Sequence, residues 1–210
     1  MANHVYFNIE FEGLNEDQER KLKEIVKVGT EVVERDFGAG PHEITEYSAE
    51  KFPIYSTPYE DENWYNWGCD NMGAKWVHVE DFDGFMMTGH SAWSHPWPLV
   101  ENLCNTLAEL TETFVSAKMT YEDEFRNYFG VDHFCSELHG DEWCCTHDEG
   151  YMDGEELTAK LREMFGEKFD SEDFEWWEGQ ETVEGETLVP QEYADDLVYD
   201  YFSTGEWHYG

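Results

Sequence analysis

Val5, Phe7, Ile9 and Phe11 alternate with Tyr6, Asn8, Glu10 and Glu12, and this period of two constrains the fold more than any other stretch. It places four apolar side chains on one face of a strand, so other parts of the chain must cover that face. After Gly13, Asn15 followed by Gln18 has the form of a capping box. Leu22, Ile25, Val26, Gly29, Val32, Val33 and Phe37 then recur at helical spacing up to Gly38. The expected opening unit is a strand followed by one long helix.

Residues 40–63 read as an irregular loop holding one short strand at most. Residues 75–81 and 84–92 read as two strands about the Asp83-Gly84 turn. Pro96 and Pro98 open a helix whose stripe is Leu99, Val100, Leu103, Cys104, Leu107 and Leu110. Val115, Ala117, Met119 and Tyr121 mark a further strand, and Phe129, Val131, His133 and Cys135 one that returns antiparallel to it. The order β-α-β-β-α-β, with an added strand, is that of a ferredoxin-like sandwich. That is an α+β class, in which two helices cover one face of an antiparallel sheet. This domain is expected over residues 1–138, and residues 139–210 are expected to form an acidic, aromatic-rich helical extension. The extension carries helical patterns near 153–165 and 190–202.

Charge limits what such a chain can bind. Asp and Glu number 49 against 12 Lys and Arg, a net −37. Nine Trp, twelve Tyr and fourteen Phe supply buriable area that disordered acidic tails lack, so the charge belongs on the surface of a folded body. A globule of this length is roughly 43 Å across, a distance over which duplex DNA carries about 25 phosphate charges. Direct nucleic-acid binding is excluded on this count, and the expected partner is a basic protein. No stretch reaches the roughly 18 apolar residues of a membrane span, and the first twelve residues lack a signal-peptide core, so the expected location is the cytoplasm. Five cysteines, an odd number, point to reduced thiols or metal ligands and not to a disulfide framework.

Cys135, His139, Cys144, Cys145 and His147 collect the ligand types of a tetrahedral zinc site. Their spacing lacks paired knuckles, and adjacent cysteines on an extended segment point to opposite faces, which favours buried thiols and surface histidines. No cofactor is expected, with zinc the one exception to test. Neither 81–84 nor 148–160 has the register of a calcium loop, and no phosphate-binding loop, nucleophile elbow or His-Glu-x-x-His occurs, so the expectation is a protein without catalysis. Residues 170–187 contain no Lys or Arg, and Glu172, Asp173, Glu175 and Glu178 there surround Trp176 and Trp177. These six are the candidate partner-binding residues, with carboxylates in place of phosphates and indoles as anchors.

Trp64-Tyr65-Asn66-Trp67, then Gly73-Ala74-Lys75-Trp76, then Ala92-Trp93-Ser94-His95-Pro96 resemble the signature of the YubB-type ferredoxin-like domain of phage and plasmid proteins. The opening Met1-Ala2-Asn3-His4-Val5 is similar to that family's start, while Met72 stands where a Trp is expected and Ala74 where a Thr is. The resemblance spans residues 1–135 and implies the same fold and a mobile-element origin, but no reaction and no catalytic residue. The Trp-rich motif itself is read as core and turn structure in preference to a ligand-stacking cage. The leading expectation is a phage- or plasmid-encoded acidic protein, acting in the host cytoplasm. It would inhibit a basic nucleic-acid-binding host protein, such as a defence effector, nuclease or polymerase, by mimicking nucleic-acid charge. The alternatives are a virion or assembly accessory protein and a zinc-binding enzyme.

Overall fold

A computed structural model of the protein describes residues 3–36, 38, 40–59, 61–124 and 128–153, together with the single positions 156, 159 and 163. Its elements run β1 (His4–Glu12), α1 (Glu16–Val28), β2 (Thr30–Asp36), β3 (Pro41–Tyr47), two 3-10 turns (Ala49–Lys51 and Asp61–Asn63) and α2 (Trp64–Met72). They continue as β4 (Lys75–Phe82), β5 (Met86–Ala92), α3 (Trp97–Thr111), β6 (Val115–Asp123), β7 (Tyr128–His139) and β8 (Glu142–Asp153). The eight strands form one sheet in the order β2-β3-β4-β5-β1-β6-β7-β8, with every neighbouring pair antiparallel. The architecture is α+β. Among the described residues no helix is long and apolar enough to cross a membrane.

β1 lies near the centre of the sheet, and Val5, Phe7, Ile9 and Phe11 are buried as their alternation requires. Met87 on β5 and Met119 on β6 flank Ile9, and the stripe Leu99, Val100, Leu103, Cys104 and Leu107 of α3 closes over this face. Burying each large apolar side chain of this kind contributes roughly 1.5–3 kcal/mol. α1 begins on the expected capping box: Asn15 accepts from the amides of Asp17 and Gln18, and the Gln18 side chain returns to the Asn15 amide at 2.9 Å. The buried Gln18 also donates to the Phe114 carbonyl at 2.8 Å, tying the start of α1 to the segment that leaves α3.

Three expectations are corrected. The first helix ends at Val28 and not at Phe37, because Gly29 stands where a Cβ would lie 2.3 Å from the Ser48 carbonyl oxygen. The β-branched run Thr30, Val32 and Val33 then extends as β2, paired along its length with β3, the short strand expected within 40–63. Over residues 3–153 the described helices are three and not two, since the aromatic run 64–72 forms α2. It ends at Gly73 with φ 76°, where a Cβ would meet Pro98 Cδ at 2.3 Å. β7 returns antiparallel to β6 as expected, and on it Gly130, Asp132, Phe134 and Ser136 face the helices, opposite Tyr121, Met119, Ala117 and Val115. The apolar set Phe129 and Val131 has the other parity.

The third correction concerns residues 142–153, a strand where a helical extension is expected. The chain turns at Gly140 and returns as β8, which pairs with β7 from His139↔Glu142 to Tyr128↔Asp153. A strand, not a helical extension, follows Leu138. It satisfies the outer edge of β7 and packs Trp143 and Cys145 against the core. Glu156, Ala159 and Glu163 are helical and exposed, in the stretch where the first extension helix is expected. The remainder of the expected extension, including 190–202 and the candidate residues Glu172, Asp173, Glu175, Trp176, Trp177 and Glu178, lies outside the described residues.

Candidate functional site

The Trp-rich motif divides in the structure. Trp67 is core: it is 5% exposed, donates its Nε1–H to the Thr57 carbonyl at 3.2 Å, and is flanked edge-on by Tyr55 and Tyr59. The rest of the motif is surface. Trp76 and Trp93 are each 56% exposed, and Trp64 and Tyr65 are exposed beside them. Trp64 stacks on Trp76 at 5.8 Å and meets Tyr65 at 5.8 Å, while the Lys75 ammonium lies 4.3 Å over the Tyr65 ring and 5.9 Å from that of Trp93. The expectation of core and turn therefore holds for Trp67 and Gly73 but not for these four rings.

Backbone conformation adds to this. Trp76 has φ 48° and Trp93 φ 72°, the left-handed region that bulky residues rarely enter. Each costs on the order of 1–3 kcal/mol unless the surroundings impose it. They follow the cross-strand pair Lys75↔Ala92, where the β4–β5 register shifts through an irregularity before His78. The Trp93 amide donates to the Asn3 carbonyl at 2.9 Å, and its carbonyl accepts from the Tyr128 hydroxyl at 3.2 Å.

Ordered carboxylates form a second feature. Across the β2–β3 pair, Glu31 faces Glu46 and Glu34 faces Glu43. Like charges directly opposed in a sheet destabilise it by roughly 0.2–1 kcal/mol per pair. Lys51 pairs with Glu31 at 3.0 Å and Arg35 with Glu46, whereas no cation among the described residues pairs with Glu34 or Glu43. β3 joins β4 through the single partnership Tyr47↔Val79, so this acidic ribbon projects from the sheet with most of its side chains exposed.

Beneath α3 lies a polar network that the sequence did not announce. The carboxylate of Asp132 is fully buried, with His147 Nε2 2.9 Å and His95 Nε2 3.1 Å from the same Oδ2. The His95 contact lacks hydrogen-bond alignment, and His95 Nδ1 and Asp132 Oδ1 are buried with no hydrogen-bond partner among the described residues. His95 stacks on Tyr121 at 3.7 Å, and His147 is sandwiched between Phe134 at 4.6 Å and Trp97 at 5.2 Å. With ring faces covered in this way, the imidazoles have edges to offer and no open face. The network joins β7, β8 and the loop entering α3. The one signal for it was a carboxylate at the helix-facing parity of β7, which becomes readable only once the register is known.

The cysteine and histidine set is split between the two faces of the sheet. Cys145 and His147 pair with Ser136 and Phe134 on the helix side, while Cys135, His139 and Cys144 have the opposite parity. Cys145 instead meets Cys104 of α3, and this hydrogen bond together with complete burial pushes the Cys104 thiol well up from its ordinary value. Burial also raises Cys135. On the face of the sheet opposite the helices His4, His78 and His90 gather, with His90 Nδ1 2.9 Å from Glu80. Among the described residues no group of three His, Cys, Asp or Glu side chains is placed to hold a metal ion.

No family model, no curated protein and no solved structure matches the chain.

Proposed function

We propose that the protein is a phage- or plasmid-encoded inhibitor, without catalysis of its own, that occupies the nucleic-acid groove of a basic host protein. Its carboxylates stand where phosphates would stand. The observation that carries this reading is the opposed pair Glu34 and Glu43, which no cation among the described residues meets, on a projecting ribbon of a chain with net charge −37. A fold selected for stability alone has no use for that repulsion, and a cationic groove removes it. The acidic segment 170–187 supplies further carboxylates in the same reading. The core is read as ferredoxin-like because β1-α1-β4-β5-α3-β6 has the chain order of that fold, with its strands lying β4-β5-β1-β6 in the sheet. β2, β3 and α2 are then an insertion, and β7–β8 an addition at the far edge.

The test is a pull-down from host lysate at low salt with the partner identified by mass, followed by competition with duplex DNA. Mimicry predicts that DNA displaces the protein, that affinity falls steeply with salt, and that Glu34→Gln with Glu43→Gln weakens binding with the fold intact. A partner that binds DNA and this protein simultaneously would overturn the reading. The exposed aromatic surface favours a second reading, an assembly accessory protein packing against its own kind, which predicts a symmetric oligomer in size-exclusion chromatography. Stoichiometric zinc in protein purified without chelator would favour the zinc-binding enzyme.

A further inference from the structure

We infer that the surface formed by Trp64, Tyr65, Trp76 and Trp93 is a guanidinium-binding face for an arginine of the partner, with Lys75 seated on it as a resident stand-in. The inference rests on the proposed basic partner and names the chemistry that anchors it. Lys75 is the only Lys or Arg between Lys51 and Lys118, yet it lies against the rings of Tyr65 and Trp93. The surface thus already holds a cation against two of its rings, in the geometry by which aromatic faces attract positive charge.

Backbone strain points the same way. Trp76 and Trp93 sit at positive φ while leaving more than half of each side chain in solvent, so burial does not repay the strain. Strain of this kind gathers at binding sites, where it sets the direction of a side chain. Here the strained residues are Trp93, whose ring lies 5.9 Å from the Lys75 ammonium, and Trp76, which stacks on Trp64. Asp61, Glu62 and Asp70, on and beside the helix that carries Trp64 and Tyr65, make the surroundings anionic. An arginine suits this face better than a lysine, since a planar guanidinium stacks on an indole and sheds its water more readily than an ammonium.

The experiment uses the full chain and two short peptides of equal length and charge, one alternating Arg with Gly and the other Lys with Gly, titrated at physiological ionic strength. The expected result is about tenfold tighter binding of the Arg peptide. Trp93→Ala and Tyr65→Ala each remove that preference while leaving the Lys peptide unchanged. Trp93→Phe retains it, and Lys75→Met tightens the Arg peptide by vacating the seat. Tyr65 lies on an exposed helical face, so its variant keeps the test valid if Trp93→Ala fails to fold. Equal affinity for the two peptides, lost as salt rises, would overturn this inference and leave charge mimicry standing. Absence of binding to either peptide at low salt would overturn both. Dimerisation abolished by Trp93→Ala, with no peptide preference, would assign the face to a second copy of the chain and overturn the arginine anchor.

Discussion

The Nε2 of His147 lies 2.9 Å from Oδ2 of Asp132, a carboxylate with no solvent exposure. A polar group buried in this way is tolerated only while its hydrogen-bond partner stays in place. Asp132→Ala removes the acceptor and leaves two imidazoles facing apolar surroundings. We expect unfolding free energy in urea to fall by about 2–3 kcal/mol. The exposed Asp148→Ala on the same strand as His147 should change it by less than about 0.5 kcal/mol. Equal effects would mean that the network does not hold β7, β8 and the α3 loop together.

Glu101 on α3 gives a pH prediction of known sign. Burial pushes its carboxyl above the ordinary range, and His147 opposes that push. The folded protein therefore holds this proton more tightly than the unfolded chain. The resulting stability is full below the ordinary carboxylate value of about 4.3 and is lost as pH rises through the folded value. Glu101→Gln should raise the melting temperature at pH 7, with the difference from the parent vanishing below about pH 4. A gain that persists at low pH would trace to packing and not to ionisation.

The five free thiols should react in an order set by their surroundings. Cys69 and Cys144 are exposed, while Cys104 is buried and hydrogen-bonded to Cys145, which keeps its proton on. Brief alkylation of the native protein, read by peptide mass, should label Cys69 and Cys144 first and Cys104 only after denaturation. Early labelling of Cys104 would contradict its packing beneath α3.

Substitutions within the aromatic motif should separate core from surface. Trp67→Ala opens a cavity among Tyr55, Tyr59 and Met72 and should cost about 3–5 kcal/mol. Trp93→Asn places at φ 72° a residue that tolerates the left-handed region, and it should leave stability within about 1 kcal/mol of the parent or raise it. A loss comparable to that of Trp67→Ala would show that the exposed indole is structural.

Salt should act on the whole fold. With 49 carboxylates against 12 basic side chains, screening should raise the melting temperature between low and physiological ionic strength. Glu34→Gln with Glu43→Gln should raise it at low salt and shrink the salt effect, because the opposed pair is removed.

Much of the core could be read from local signals, because those signals agree with the tertiary environment. β1, the Asn15–Gln18 capping box, the α3 stripe and β6 each carry a period or a cap that the packing preserves. Where propensity and contact diverge, the reading failed. Val32 and Val33 continue the helical spacing of α1, but Gly29 and the pairing with β3 turn them into strand. β8 carries Cys, His, Asp and Glu where a buried strand would show apolar residues, because it lies at the sheet edge with its partner on one side only. The Asp132 network was invisible because its members are far apart in sequence and meet only through register. Four exposed rings of the Trp-rich motif carry no local sign of exposure, because aromatic residues usually bury: Trp64 and Tyr65 lie on the exposed face of α2, and Trp76 and Trp93 stand at positive φ.

The position of β1 also governs how the chain must be made. Its two sheet neighbours, β5 and β6, end at Ala92 and Asp123, so its hydrogen-bonding edges and its apolar face wait for sequence translated long after Glu12. At about 5–20 residues per second, ribosomes need roughly 6–22 s to pass from Glu12 to Asp123. For that interval Val5, Phe7, Ile9 and Phe11 are a naked β-prone segment emerging from the exit tunnel. Cellular yield of this protein should therefore depend on chaperones that shield the nascent strand more than on the stability of the finished sheet.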